Sequence, residues 1–151
     1  MPVNDMVIRI GGESGEGIVT IGEIFVRIAA FSGLEVYTFR TFPAEILGGH
    51  VTFQARISDK PVLSQGDDID VLVSLNQEGY DKHIDELRPG GVVLYDSSSA
   101  TPTSGANGHV LYALPVDELA RSIDFTRGRN LVMIGAMAQL FGLALDRAKQ
   151  M

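Results

Sequence analysis

The stretch Gly11-Gly12-Glu13-Ser14-Gly15-Glu16-Gly17 holds the residue types and spacing with the clearest chemical potential in this chain. An apolar run, Met6-Val7-Ile8-Arg9-Ile10, precedes it, and Ile18, Ile21, Phe25 and Ile28 recur after it at helical spacing. A strand that turns through glycines into a helix exposes backbone N–H groups at the positive end of the helix dipole, an arrangement suited to a phosphate or a carboxylate. Glu13 and Glu16 lie inside that turn and would repel a phosphate unless they face solvent or pair with basic groups. The dinucleotide fingerprint is G-x-G-x-x-G, whereas the spacing here runs in the opposite order, Gly12-x-x-Gly15-x-Gly17. No Lys-Ser/Thr pair follows the last glycine, which excludes a Walker-type loop. Two readings stay open, a ligand loop and a tight turn that permits close helix packing.

A second group of candidates follows at Pro43-Ala44-Glu45-Ile46-Leu47-Gly48-Gly49-His50. The pair Gly48-Gly49 implies close approach of backbone to something, or a positive φ. Glu45 has the chemistry of an acid or base in an assembled site, or of an acceptor that shapes its own loop. Asn76 and Gln77 follow a later apolar strand and belong to the same sheet edge, so three loops are expected to meet at one crevice. Asp96 ends another strand there and reads as a cap for the serine-rich loop after it. His50, His83 and His109 show no metal-ligand spacing and read as surface or turn histidines, with His50 set apart by its place beside Gly48-Gly49. Ser97-Ser98-Ser99 lacks the glycine elbow of a serine nucleophile.

The elements that must position these residues alternate. Strands are expected at Met6–Ile10, Leu34–Arg40, Ile69–Leu75, Val92–Tyr95 and Val110–Leu114, with a half-exposed alternating strand at Val51–Ile57. Residues 80–87 form a short helix closed by Arg88-Pro89-Gly90-Gly91, Pro115 opens another through Arg121, and an apolar helix begins at Asn130. The fold class is therefore α/β, Rossmann-like, a mostly parallel sheet with helices on both faces. Ligands of such sheets bind at the carboxyl ends of the strands, so Glu35, which begins a strand, should face away from the site, while Arg40 lies at the site end.

The 151 residues, 45 % of them hydrophobic, imply one domain. A net charge of −7 argues against nucleic-acid and anionic-membrane partners, which need clustered Lys and Arg. There are no cysteines, which excludes thiolate metal sites, a cysteine nucleophile and an iron–sulfur cluster held by this chain. The longest apolar run, Leu131–Leu145, is interrupted by Gln139 and is shorter than the roughly 20 residues of a membrane span. Its helix should bury most sides, in part against a partner. Met1 to Asp5 have no leader character, so a cytoplasmic location is expected. The helical composition running to Met151 without a stop signal points to a domain continuing beyond this sequence.

Three motifs in order, Ile10-Gly11-Gly12-Glu13-Ser14-Gly15-Glu16-Gly17, Phe42-Pro43-Ala44-Glu45-x-x-Gly48-Gly49 and Val71-Leu72-Val73-Ser74-Leu75-Asn76, resemble the gamma domain of 2-oxoacid:ferredoxin oxidoreductases. The form with Glu-Ser-Gly-Glu-Gly is most similar to the N-terminal part of the alpha subunit of 2-oxoglutarate-type enzymes. The resemblance covers nearly the whole chain and implies a part in oxidative decarboxylation of a 2-oxoacid, with coenzyme A (CoA) accepting the acyl group and ferredoxin the electrons. It implies partners in the remaining alpha-type domains and a beta subunit, which hold thiamine diphosphate, magnesium and iron–sulfur clusters. It also implies that Gly12, Glu13, Ser14, Gly15, Glu16, Gly17, Glu45, Gly48, Gly49 and Asn76 lie near CoA or a domain interface. Gly66-Asp67-Asp68 only echoes the thiamine diphosphate signature and reads as a turn. The chain alone should be catalytically silent, with no catalytic residue and no metal site of its own. The alternatives are an independent nucleotide-binding module and a structural docking domain.

Overall fold

The computed structural model describes residues 3–44, 48–103 and 106–148. The elements run β1 (Asp5–Glu13), α1 (Ile18–Phe31), β2 (Glu35–Thr41), β3 (His50–Ser58), β4 (Ile69–Ser74), α2 (Gln77–His83), β5 (Leu87–Asp96), β6 (Val110–Leu114), α3 (Val116–Ser122), α4 (Arg129–Leu140) and α5 (Leu145–Ala148). The strands form one sheet in the order β2-β3-β1-β4-β5-β6. β1, β4, β5 and β6 are parallel neighbours, while β3 runs antiparallel between β1 and β2. The α/β, mostly parallel architecture expected from the sequence is the one observed.

Alternation along the strands assigns the two sheet faces. Ile8, Ile10, Phe53, Ala55, Ile57, Val71 and Val73 point to one side and pack with Ile21, Phe25 and Ile28 of α1, Val116 of α3, and Met133 and Met137 of α4. Leu72 and Val93 point to the other side and pack with Tyr80 of α2. Three helices thus cover the first face and one short helix covers part of the second.

Several boundaries differ from the sequence expectation. β1 continues beyond Ile10 to Glu13, because Gly11, Gly12 and Glu13 still pair with Thr52, Val51 and His50. The turn itself is confined to Ser14–Gly17, with Gly15 and Gly17 at positive φ. β3 is an interior strand and not a half-exposed one: both its edges are paired, and even Gln54 is buried. Gln54 is satisfied by Arg9, whose guanidinium donates to Oε1, and by the carbonyls of Gln65 and Gly66. The helix expected at 80–87 starts at Gln77, because the Asn76 side chain accepts from the Gly79 N–H at 2.8 Å and caps it. In α4, Met133, Ile134, Met137 and Ala138 are buried within this chain, while Leu131 is 56 % exposed.

Candidate functional site

The glycine turn, the loop before β3 and the Asn76 turn meet at the carboxyl ends of β1 and β4. The Ser14 N–H donates to the Gly49 carbonyl at 2.9 Å, tying the first loop to the second. Asn76 Nδ2 donates to Glu16 Oε2 at 3.2 Å, tying the third to the first. Gly48 also approaches the loop, since a Cβ built there would lie 3.7 Å from Glu13 Oε1. Of the residues singled out in the sequence, Gly12, Glu13, Ser14, Gly15, Glu16, Gly17, Gly48, Gly49 and Asn76 are thus brought to one rim. Glu45 lies outside the described residues.

The Glu16 side chain faces neither solvent alone nor a basic group. Its Oε2 accepts the Glu13 N–H at 2.6 Å as well as the Asn76 amide. The Glu16 N–H in turn donates to the Glu13 carbonyl at 3.1 Å. This reciprocal pairing has the logic of a capping box, a carboxylate reaching back three residues to an otherwise orphaned N–H. Gly17 then enters α1 at φ 81°, and a Cβ there would run into the side-chain amide of Asn130. Glycine is required at this position both by the left-handed backbone and by the approach of α4.

A crevice of about 260 Å³ opens beside this loop, lined by Gly15, Glu16, Asp96, Arg127, Arg129 and Asn130 among others. Asp96 is buried; its Oδ1 accepts the Ser98 N–H at 2.9 Å, the capping role read from the sequence, and its Oδ2 pairs with Arg129 at 2.9 Å. Arg129 also pairs through Nε with Asp117 at 2.9 Å, so its guanidinium is shared between two carboxylates. Arg127 is exposed and makes no ion pair among the described residues. A second crevice of about 230 Å³ lies between Ser14, Gly17, Val51 and the ring of Phe42, which is 66 % exposed. Sequence reasoning missed the run Arg127-Gly128-Arg129-Asn130. The signal was available, two arginines and an asparagine directly before an apolar helix, but nothing local says that this helix begins beside the glycine turn.

Sequence reasoning also placed His83 at the surface, and the structure corrects this. His83 is buried on the second face of the sheet, and its Nε2 lies 2.7 Å from His50 Nε2. Gly11 and Gly79 create the room: a Cβ on Gly11 would meet His83 Cδ2 at 3.1 Å and His50 Cε1 at 3.3 Å. His83 Nδ1 lies 3.1 Å from Glu86 Oε1 and 3.3 Å from Arg9, and Arg9 is itself paired with Glu86. A proton on His83 Nδ1, donated to Glu86, leaves His83 Nε2 to accept from His50 Nε2–H. The His50 Nδ1, which has no partner among the described residues, is then a bare acceptor and not an orphaned donor, the less costly arrangement. Burial lowers the pKa of both rings, His83 further through Arg9 against the opposing bond to Glu86, and His50 through the neighbouring His83 and Lys82.

The donor set bears on which cofactors the chain can hold. It has no thiolate to offer an iron–sulfur cluster. Among the described residues no group of three or more His, Asp or Glu side chains could hold a metal ion. No helix among them is long and apolar enough to cross a membrane.

Comparison with known proteins gives concordant matches. The family model described as pyruvate ferredoxin/flavodoxin oxidoreductase matches residues 7–151. The 2-oxoglutarate synthase subunit KorC of Methanocaldococcus jannaschii is 33 % identical over 88 % of this chain and 73 % of its own length. Among solved structures, a 2-oxoglutarate:ferredoxin oxidoreductase from Magnetococcus marinus with 2-oxoglutarate, coenzyme A and succinyl-CoA bound superposes with a TM-score of 0.88 at 37 % identity, covering 97 % of this chain and 26 % of that one. The gamma subunit of a keto/oxoacid ferredoxin oxidoreductase from Geobacter sulfurreducens gives a TM-score of 0.83 at 27 % identity, covering 98 % of this chain and 83 % of that one. The chain spans only 29 % and 24 % of the length of two other curated relatives.

Proposed function

This chain belongs to the pyruvate ferredoxin/flavodoxin oxidoreductase family, and from that premise we propose that it is the gamma-type domain of a cytoplasmic 2-oxoacid:ferredoxin oxidoreductase. In such an assembly a 2-oxoacid is oxidatively decarboxylated, its acyl group passes to CoA and its electrons pass to ferredoxin. The 2-oxoacid is 2-oxoglutarate, a reading supported by the names of the KorC and Magnetococcus relatives. Thiamine diphosphate, magnesium and the iron–sulfur clusters are held by the remaining alpha-type domains and the beta subunit; this chain has no cysteine to ligate a cluster.

The observation that carries the proposal is the joining of three loops at one sheet rim through the Ser14–Gly49 and Asn76–Glu16 hydrogen bonds. A rim built this way is preorganised, and a site completed by neighbouring domains needs such a wall. The chain's part is to position and pack. Gly12, Glu13, Ser14, Gly15, Glu16, Gly17, Gly48, Gly49 and Asn76 shape the wall that faces CoA or the adjoining domain. Arg127 is the side chain in the adjoining crevice whose charge is available to an anionic ligand.

Isothermal titration with CoA and, in parallel, with NAD tests this. Weak but saturable CoA binding that falls several-fold in Arg127→Ala, with no NAD binding, is the expected result. Tight NAD binding would replace the proposal with an independent nucleotide-binding module.

A further inference from the structure

The glycine turn has the outline of a phosphate loop, yet three of its N–H donors are already engaged within the chain. The Glu13 N–H is bound by the Glu16 carboxylate at 2.6 Å, the Ser14 N–H by the Gly49 carbonyl at 2.9 Å, and the Glu16 N–H by the Glu13 carbonyl at 3.1 Å. A loop that cradles phosphate must leave several adjacent N–H groups free and convergent. Here the position where an anion would sit over β1 is held by an anion of the chain itself.

Glu16 is fixed there from more than one direction. Asn76 Nδ2 donates to the same oxygen at 3.2 Å, while Asn76 Oδ1 caps α2 through the Gly79 N–H. The tether is therefore anchored by a helix start and not by a free side chain. Gly12 has no Cβ to obstruct it: one built there would lie 2.5 Å from Glu16 Oε2. The same carboxylate lines the crevice that contains Arg127.

We propose that Glu16 is a specificity-determining residue: its carboxylate is the resident anion of the glycine turn and closes that turn to phosphate. The inference refines the proposed function at the same site. Groups of a ligand that approach the turn are uncharged or cationic, and phosphates are left to the side of the crevice where Arg127 lies. Two like charges at close range repel, so a phosphate reaches the Glu13 N–H only by expelling the carboxylate from its two donors.

Inorganic pyrophosphate is the probe, titrated against the 15N-labelled chain and followed at the backbone amide resonances of Glu13, Ser14 and Gly15. This readout does not depend on whether CoA binds. In the wild type, millimolar pyrophosphate should leave the Glu13 resonance in place, with any movement confined to Gly15 on the Arg127 side of the crevice. In Glu16→Gln, which keeps the shape and removes the charge, the Glu13 resonance should move saturably at a concentration at least tenfold lower than any effect in the wild type. Glu16→Ala should give a larger response still. Saturable movement of the Glu13 resonance in the wild type would overturn the proposal. So would a folded Glu16→Gln or Glu16→Ala chain whose turn stays as indifferent to pyrophosphate as the parent.

Discussion

A histidine held between a sheet and a second histidine resists protonation, and this ties the stability of the domain to pH. His83 is buried and its pKa is lowered chiefly by that burial, and His50 is lowered for the same reason and by its neighbour. The unfolded chain, with ordinary histidines near 6.5, binds protons that the folded pair refuses, so the unfolded state holds more protons in that range. Stability is therefore full above pH 6.5 and falls as pH drops below it, until the lowered folded-state values are reached. For His83 the slope is at most about 1.4 kcal/mol per pH unit. The Glu86 carboxyl acts lower down: burial raises it, but its bonds to Arg9 and His83 outweigh this and leave it below its usual value. Its contribution disappears only as pH falls below the ordinary glutamate range near 4.3. Urea unfolding of the wild type should show the midpoint dropping between pH 7.5 and 5.5. His83→Gln should start less stable by about 1 kcal/mol at pH 7.5, from the lost bond, and vary less over the same interval. An unchanged pH slope in His83→Gln would refute the assignment. Nothing in the spacing of His50 and His83 announces this pair, because they are brought together by β3 pairing beside β1 and α2 packing over it, a long-range event with no local signature.

At the level of elements, the sequence was most informative where periodicity alone decides the answer. β4, β2 and the core face of α1 lie close to where the apolar pattern puts them. It was least informative where a neighbour decides. The alternation of Val51–Ile57 assigns its faces correctly but cannot say that the strand lies between β1 and β2, which is what buries Gln54. Glycines misled at the end of β1, since Gly11 and Gly12 read as a turn and yet continue the ladder. Their purpose is contact: α2 crosses β1 so closely that a Cβ on Gly79 would lie 2.6 Å from the Gly11 carbonyl oxygen and 3.1 Å from Ser74 Oγ. An alanine gains about 1 kcal/mol of helix propensity over glycine, but the clash is with backbone, which cannot rotate away, and overpacking costs about 1–3 kcal/mol. Gly79→Ala should therefore destabilise the chain, lifting α2 and separating the two imidazoles. The check is a lower urea midpoint together with a change in the His50 and His83 ring resonances; a midpoint equal to or above that of the wild type would mean that α2 can shift freely on the sheet.

For the molecule as a whole, the proposed division of labour rests on a rim that neighbouring domains would complete. The three-loop rim was visible in the sequence because each loop follows a strand, and parallel strands put their ends on one edge. The arginine side of the crevice was not, because α4 reaches that edge through a path the motif pattern does not encode. A wall of this kind should be separable from the fold that carries it. Gly49 sits at φ 90° at the rim and offers its carbonyl to Ser14, outside the buried clusters that hold the helices to the sheet. A β-branched residue is strongly disfavoured at that φ, so Gly49→Val should rearrange the loop while leaving those clusters intact. Assembly with the remaining domains, or acyl transfer to CoA in the reconstituted complex, should fall at least tenfold. The melting temperature of the isolated chain should drop by only a few degrees, and the isolated wild-type chain should show no 2-oxoacid-dependent reduction of ferredoxin. Proportionate losses of stability and of activity in Gly49→Val would mean that the rim is part of the scaffold and not a surface presented to a neighbour. Ferredoxin reduction by the chain alone would contradict the proposed sharing of cofactors among domains.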